Sequence, residues 1–244
     1  MNNLKTQDYN CQFEYKKNSF KSFFSSHTPN INYFKSPANG FRTRAEFGVL
    51  FSKNILNYTM VRNGKKYTVN KLVICHKRIN SLMVLLKECL EEDSYLTKKL
   101  FQIEFQVSRN NEAIITMIYH KKPPEEWQDG LMLLSSKLNS SIILRSKRYK
   151  DIIGKDFVLE TYTSGQIQFD LYLFEQCFSQ PNPFICDQML SWVAMNFKSS
   201  KDILELYCGV GTFTVPLSYL CKRLLATENN RKSLKGLTSN LLLN

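Results

Sequence analysis

The strongest constraint on the fold is a strand, turn, helix and strand pattern near the end of the sequence. A short apolar run predicts a buried strand, a turn with two glycines follows it, and a helical stretch leads to a second apolar run that ends at an acid. In order, these parts are Ile203–Cys208, Gly209–Thr212, Phe213–Leu220, Lys222–Thr227 and Glu228. Strands that alternate with helices form β-α-β units of parallel sheets. The sequence therefore predicts an α/β unit from about residue 202 onward.

The glycines and the acid of this unit predict a nucleoside-binding site. Gly209 and Gly211 have no β-carbon, so the backbone of the turn can lie close to a bound ligand. Glu228 follows Gly211 by 17 residues and ends the second strand. An acid at that position can accept hydrogen bonds from both hydroxyls of a ribose.

Three cofactor classes contain a ribose, and the turn distinguishes among them. A dinucleotide site would have glycine at position 214, where this chain has Thr214. A phosphate-binding P-loop would continue with Gly-Lys-Ser/Thr, but Thr212 follows Gly211. The spacing Glu205-x-Tyr207-x-Gly209-x-Gly211 matches the first motif of class I methyltransferases, whose cofactor is S-adenosylmethionine. The alternative is a structural turn in an unrelated α/β protein.

Charge is unevenly distributed along the chain. Residues 1–80 contain 14 Lys and Arg residues against three acids, whereas the remaining 164 residues contain 19 basic and 18 acidic side chains. Eight aromatic residues lie among these cations: Phe20, Phe23, Phe24, Tyr33, Phe34, Phe41, Tyr58 and Tyr67. Such a segment attracts polyanions and offers flat rings to unstacked bases, so nucleic acid is the predicted partner. The alternative is that the charge only solubilises the chain and the rings are core.

Between these two features the pattern predicts an α+β region. Alternating residues predict strands near 44–51, 58–61, 100–107, 113–119, 141–145, 156–163 and 166–174, with helices near 80–100 and 125–138. Asn63-Gly64 predicts a tight hairpin turn. No apolar run approaches the ~18 residues of a membrane span. The seven cysteines include no C-x-x-C pair, so we expect no disulfide framework, no metal site and a reducing cytoplasm.

Several motifs together resemble those of the tRNA (uracil-5-)-methyltransferases. They are Phe41–Phe47, Lys99–Ile103, Tyr119–Lys122, Phe178–Asn182, Leu204–Gly209 and Leu225–Glu228, and the similarity extends from about residue 34 to residue 244. The resemblance implies methylation of C5 of the T-loop uridine, position 54 of tRNA, with S-adenosylmethionine as cofactor. It implies that Gln180 and Tyr207 contact the cofactor and that Glu228 binds its ribose. Thr212 stands where the bacterial enzymes often have Asn.

The implied fold is α/β combined with α+β. An N-terminal mixed α+β RNA-binding domain is followed by the start of a class I, Rossmann-like methyltransferase domain. The expected regions are a basic arm (1–38), the α+β RNA-binding region (39–176) and an incomplete methyltransferase domain (177–244).

The resemblance also implies RNA-contacting residues. Phe101 and His120 are expected to meet the T-arm, together with Arg42 and Arg44 of the Arg-Thr-Arg-Ala-Glu-Phe stretch. For Phe101 a core position is the alternative, whereas His120 beside two lysines is expected to be exposed. Gly48 stands where family members often have Arg, so one phosphate contact is expected to be missing.

The segments that carry the family's catalytic cysteine and glutamate do not occur in this sequence. D-P-P-R and S-C-N-P are absent, and Cys208 on the turn is expected to be a packing residue rather than a nucleophile. We expect the nucleophilic cysteine and the glutamate base to lie beyond Asn244, so that no residue of this chain is assigned a catalytic role. The chain is therefore expected to be C-terminally truncated and inactive alone. A non-catalytic RNA-binding remnant and a methyltransferase of another RNA uridine remain open alternatives.

Overall fold

The computed structural model describes residues 9–24, 31–197 and 200–244. The helices are α1 (Tyr9–Phe23), α2 (Lys77–Glu92), α3 (Gln128–Leu138), α4 (Pro183–Asn196), α5 (Thr214–Ser218) and α6 (Arg231–Leu243). The strands are β1 (Arg44–Ser52), β2 (Ile55–Arg62), β3 (Lys65–Thr68), β4 (Leu100–Val107), β5 (Ala113–Tyr119), β6 (Ser141–Ser146), β7 (Tyr149–Ile153), β8 (Phe157–Ser164), β9 (Ile167–Phe174), β10 (Ser200–Leu206) and β11 (Cys221–Thr227). Short 3₁₀ helices cover Ser94–Thr97 and Glu125–Trp127. The predicted arm is thus helical over α1, and its residues 1–8 and 25–30 lie outside the described residues.

A seven-stranded sheet forms the first half of the molecule, with the strand order β3-β2-β1-β4-β5-β6-β7. Its pairs are antiparallel except β5 and β6, which are parallel because α3 makes a crossover between them. Helices α2 and α3 cover one face, and their apolar stripes pack on alternate residues of the central strands. Ile79, Leu82, Leu86 and Leu90 of α2 are completely buried. The predicted α+β region is therefore confirmed.

The hairpin turns follow from their residue types. Lys53-Asn54 joins β1 to β2 and Asn63-Gly64 joins β2 to β3, and all four residues have positive φ. Two consecutive residues of that conformation match the twist of the flanking strands, and Asn and Gly adopt it at the lowest cost. The predicted Asn-Gly hairpin is confirmed.

The other face of the sheet carries the second half of the molecule. Ile114 and Ile143 point to this face and pack with the β8–β9 hairpin, which α4 and α6 cover in turn. The amide of Gln106 donates to the carbonyl of Leu173 across this contact, at 2.9 Å. This packing joins residues on both sides of the boundary predicted at residue 177, and the division into three regions stays a prediction.

The predicted β-α-β unit is present. Strands β10 and β11 are parallel, with Leu204 opposite Leu225 and Leu206 opposite Thr227. Helix α5 between them is shorter than predicted. Leu204, Leu206 and Leu225 are 60 to 64% exposed, so one apolar face of this pair is open to solvent.

Candidate functional site

The turn after β10 has the backbone geometry that the two glycines predict. Gly209 and Gly211 have φ values of 60° and 94°, in the region that favours glycine. A Cβ on Gly209 would meet no atom within 4 Å, so open room lies over this residue. A Cβ on Gly211 would lie 2.7 Å from Leu237 of α6. Gly209 therefore leaves space for a ligand, whereas Gly211 lets α6 pack against the turn.

Glu228 lies beside this turn and is held by backbone amides. One oxygen, Oε2, accepts from the amide of Gly209 at 3.0 Å, and Oε1 accepts from the amides of Asn229 and Asn230 at 2.8 Å each. These bonds, that from Asn230 first, hold the pKa of Glu228 below its usual value. A carboxylate has about four lone-pair sites, and three are used. To hold both hydroxyls of a ribose, Glu228 would have to release at least one backbone amide.

Tyr207, at the end of β10, has a strained backbone and an exposed ring. Its φ is 58° and its side chain is 83% exposed. A non-glycine residue in this conformation costs roughly 1–2 kcal/mol, and such residues concentrate at functional sites. Tyr207 precedes Gly209 by two residues, and its ring is open to solvent. Thr212, in the same turn, is half-buried.

Cys208 lies between Tyr207 and Gly209 but is buried. Burial, together with the nearby carboxylates of Glu205 and Glu228, raises the pKa of its thiol. Because a thiolate is the nucleophilic form, this environment disfavours attack by Cys208. The geometry agrees with the expected packing role.

Asn244, the residue beyond which the catalytic groups are expected, has a structural role. Its side-chain amide donates to the carbonyl of Asp170 in β9 at 2.8 Å, and its side-chain oxygen accepts from the amide of Asp170 at 3.1 Å. Asn244 therefore ties the end of α6 to the β8–β9 hairpin and takes no part in the glycine turn. The position of the family's nucleophilic cysteine and glutamate base beyond Asn244 stays a prediction.

Gln180 belongs to the segment that leads into α4 and is half-buried. The segment is fixed on both sides of it: the carbonyl of Pro181 accepts from the amide of Thr43 at 2.9 Å, and Asn182 caps α4 by accepting from Ile185 at 3.1 Å. Within the described residues, no hydrogen bond joins Gln180 to the Gly209–Thr212 turn. Its contact with a cofactor stays a prediction.

Two side-chain contacts that the sequence analysis missed support the turn. Thr214 donates to Glu205 at 2.7 Å, and burial raises the pKa of Glu205. Asn240 of α6, completely buried, donates to the carbonyl of Val210 at 2.8 Å and pairs with the backbone of Tyr172 in β9. Helix α6 thus joins the turn to the β8–β9 hairpin. A contact between residues 30 positions apart leaves no local pattern that could predict it.

Phe101 and His120 lie against each other. Their rings stack with centroids 4.2 Å apart and planes at 20°. Phe101 is the extra residue of a β-bulge, since Leu100 pairs with Tyr119 and Gln102 with Ile118. Without the bulge, Phe101 would be on the same face of β4 as Ile103, which lies in the core. The bulge turns the side chain of Phe101 away from that face. Phe101 is consequently half-buried rather than core, and His120 is exposed as expected.

Arg42 and Arg44 hold different positions. Arg42 donates from Nε to the carbonyl of Arg44 at 2.8 Å. Arg44 donates to the carbonyls of Cys177 and Glu175, each at 2.9 Å, and pairs with Glu104 at 3.5 Å. Its guanidinium therefore connects β1 to the chain that leads to Gln180. RNA contacts of both arginines stay predictions.

A cleft with charged walls includes Arg44. This cleft of about 490 Å³ lies between the sheet and the start of α6, and its lining includes Arg44, Arg145, Arg231 and Lys232 as well as Glu104 and Glu175. On β1, a Cβ at Gly48 would lie 2.7 Å from Oγ1 of Thr59, so the neighbouring strand occupies the space that a side chain would need.

In the three described ranges, no cluster of three or more His, Cys, Asp or Glu side chains could hold a metal ion. None of the helices there combines the length and the apolar character needed to cross a bilayer.

Comparison with known proteins relates the chain to RNA methyltransferases. The family described as tRNA (Uracil-5-)-methyltransferase matches residues 8–244. A tRNA/tmRNA (uracil-C(5))-methyltransferase of Acinetobacter baumannii (strain AYE) is 38% identical over 236 residues, which are 93% of this chain and 65% of that protein. One of Aliarcobacter butzleri is also 38% identical, over 97% of this chain and 65% of its own length. The chain thus spans 65% of the length of these two relatives.

A solved structure supports the fold. The crystal structure of Pyrococcus abyssi tRNA (uracil-54, C5)-methyltransferase in complex with S-adenosyl-L-homocysteine matches with a TM-score of 0.75 at 17% identity. The match covers 97% of this chain and 60% of that chain. The mixed α/β architecture therefore agrees with that of the archaeal enzyme, and the motifs, the fold and the family match lead to one conclusion. The chain belongs to the tRNA (uracil-5-)-methyltransferase family.

Proposed function

We propose that this chain provides the RNA-binding and cofactor-binding parts of an enzyme that methylates C5 of a uridine in tRNA. The target is the T-loop uridine at position 54, and the methyl donor is S-adenosylmethionine. One observation carries the proposal: a stacked pair, the half-buried Phe101 and the exposed His120, occurs in the same chain as a glycine turn with open space over Gly209. An RNA site and a nucleoside site together fit a methyltransferase of RNA.

The residues of the turn fit the proposed cofactor. S-adenosylmethionine has a ribose and carries no phosphate, so it requires an acceptor for hydroxyls rather than a cluster of cations. Glu228 is such an acceptor, because backbone amides lower its pKa and so keep it ionised. Tyr207 offers an exposed ring beside the turn, and Gly209 leaves the room that the ligand needs. When bound, the cofactor supplies the methyl group.

The stacked pair fits a base that has left its stack. An unpaired base gains about 1–3 kcal/mol by stacking on an aromatic ring. His120 adds ring nitrogens that can reach a base edge or a phosphate, and Lys121 and Lys122 follow it directly. We propose that this pair contacts the T-arm, with Arg42 as a phosphate contact. For Arg44 the hydrogen bonds favour a role in holding the Gln180 segment.

These 244 residues are proposed to bind both ligands without transferring the methyl group. The C5 carbon of uracil is a poor nucleophile until a thiolate adds to C6. Cys208 is the cysteine nearest the glycine turn in sequence, and burial raises the pKa of its thiol. We therefore expect no labelled methyl in tRNA when the chain is incubated with isotopically labelled cofactor. Label at uracil C5 would contradict this expectation and return Cys208 to consideration.

Binding of a T-arm hairpin tests the RNA part of the proposal. Replacing Phe101 with Ala should weaken binding about ten-fold, because one stacking surface is lost. The matched control is Tyr219→Ala, which removes a ring that is 55% exposed near the end of α5. Equal affinities of both variants and the unmodified chain would contradict the RNA site. Binding of RNA without any binding of S-adenosylmethionine would leave the non-catalytic alternative.

A further inference from the structure

Helix α1 is held to the molecule without burying any of its own residues. Helices of this length are marginal alone in water and normally gain stability from an apolar face packed on a core. Here the contacts are made with residues 33–35. Lys35 donates to Asn10 at 3.1 Å and lies 5.0 Å from the centre of the Phe13 ring. Lys17 and Lys21 lie 5.8 and 5.9 Å from the centre of the Tyr33 ring.

The surface that results alternates rings and cations. Phe20 and Phe23 are 46% and 84% exposed, and Lys16 and Lys21 are exposed beside them. Phe20 also contacts Phe24 and Tyr33, with ring centroids 4.8 and 6.5 Å away. We call Lys16, Lys17, Phe20, Lys21, Phe23 and Tyr33 the arm surface. It has three lysines, against which α1 offers a single acid, Glu14.

The chain next to α1 is linked to the segment that leads into α4. Ser36, next to Lys35, accepts a hydrogen bond of 2.8 Å from the amide of Asn182. Asn182 is two residues from Gln180, in the segment that is predicted to contact the cofactor. The start of α1 is therefore connected to this segment through residues 35 and 36.

We propose that the arm surface binds the RNA substrate outside the methylated nucleotide, through its phosphates and an unpaired base. This inference rests on the proposed function. Exposed rings between lysines suit single-stranded or looped RNA, because phosphates pair with the cations while bases stack on the rings. Charge argues against a second copy of the chain as the occupant, since two arm surfaces would bring like charges together.

Paired lysine variants test the phosphate contacts. The double variant Lys16→Gln/Lys21→Gln should bind tRNA about ten-fold more weakly at low salt. The slope of log affinity against log salt should become shallower by about one to two. The reason is that RNA binding releases fewer counterions when two phosphate contacts are lost. The matched control is Lys201→Gln/Lys222→Gln, which removes two lysines at the amino ends of β10 and β11, opposite the glycine turn. The control should keep the slope within about half a unit.

Phe23→Ala tests the stacking contact. It should weaken binding about five-fold, and the loss should persist at high salt because stacking does not depend on counterions. These variants should keep the melting temperature of the unmodified chain, because α1 buries no residue.

The outcomes separate this inference from the proposed function. If the unmodified chain does not bind tRNA, the proposed function itself is wrong. If the unmodified chain binds and Phe101→Ala weakens binding while the arm variants do not, only the arm inference is wrong. Sedimentation provides the remaining test: a change of oligomeric state in the variants with unaltered RNA affinity would assign the surface to a second copy and overturn the inference.

Discussion

At the scale of single residues, Glu228 combines a structural and a binding role. Its carboxylate accepts from the amide of Gly209 in the glycine turn and from the amides of Asn229 and Asn230, and the same oxygens are the proposed acceptors for ribose. The sequence predicts Glu228 and Gly209 because strand, turn and acid follow one another at short spacing. It does not predict the position of Arg44, whose carbonyl partners lie 131 and 133 residues away.

The lowered pKa of Glu228 leads to a prediction about pH. An acid whose folded pKa is lowered stabilises the fold above its unfolded pKa of about 4.5, and this stabilisation is lost as the pH falls through the folded value. The amide signal of Gly209 should therefore titrate with a midpoint below 4.5. Glu228→Gln should abolish this titration and weaken S-adenosylmethionine binding about ten-fold or more, because a charged acceptor is lost. A variant with full cofactor affinity would remove Glu228 from the site.

At the scale of elements, the bulge in β4 decides where Phe101 points. Alternation predicts β4 and β5 with the observed bounds, but a strict period of two would put Phe101 in the row of Ile103 and Phe105. One extra residue reverses that outcome, and no local pattern indicates it.

Strand β7 and helix α4 were missed for different reasons. Strand β7 follows a turn at Lys147-Arg148, where Arg148 has positive φ without the Gly or Asn that would signal it. In α4, apolar residues occur nearly all round the helix and obscure the helical period.

Arg109, in the turn between β4 and β5, contacts both β8 and α4, and its loss should be costly. It donates to Glu160 of β8 at 2.7 Å, to Asp187 of α4 and to the carbonyl of Thr161. Glu160 is 1% exposed, and burial raises its pKa. Arg109→Met should lower the free energy of unfolding by roughly 2 kcal/mol or more, because it leaves a buried carboxylate without its partner.

Denaturation across pH checks this prediction against a surface pair. Arg223→Met removes an exposed partner of Asp202 and should lower the free energy of unfolding far less, because water screens an exposed ion pair. The loss of unfolding free energy caused by Arg109→Met should be smallest below the unfolded pKa of Glu160, about 4.5. Glu160 is protonated there in both the folded and the unfolded chain. The loss should reach its full value above the raised pKa that Glu160 has in the folded chain. Equal costs for the two variants at neutral pH would show that the Arg109 network adds nothing to stability.

At the scale of the whole molecule, the seven-stranded sheet and the second half of the chain pack against each other through one face of the sheet. The seven-stranded sheet is covered by helices on one side and by the β8–β9 hairpin on the other, and Arg44 adds a polar connection. The sequence predicts the α+β class of the first half and the α/β class of the second, because the spacing of apolar residues within one strand or helix depends only on neighbouring residues. It does not predict how they dock, because Gln106, Ile114 and Ile143 meet partners from distant strands.

The open face of β10 and β11 predicts self-association. Leu204 and Leu225 are paired across the two strands and are both exposed. Adjacent exposed leucines form a continuous apolar patch, and such patches favour association more than single exposed side chains do. Leu204→Gln/Leu225→Gln should reduce aggregation in sedimentation experiments. The control, Leu133→Gln/Leu242→Gln, removes two exposed leucines from separate helices and should change little. An unmodified chain that stays monomeric at high concentration would contradict the prediction.

The buried contact of Asn240 has a consequence for the order of events during synthesis. The ribosome makes the glycine turn first and α6 afterwards, yet the carbonyl of Val210 receives its hydrogen bond from Asn240. Domains form as their residues emerge, and the donor of this hydrogen bond emerges 30 residues after its acceptor. Until residue 240 has been added, the nascent chain therefore lacks the hydrogen bond that fixes the carbonyl of Val210, and the proposed cofactor site is expected to form only after that point.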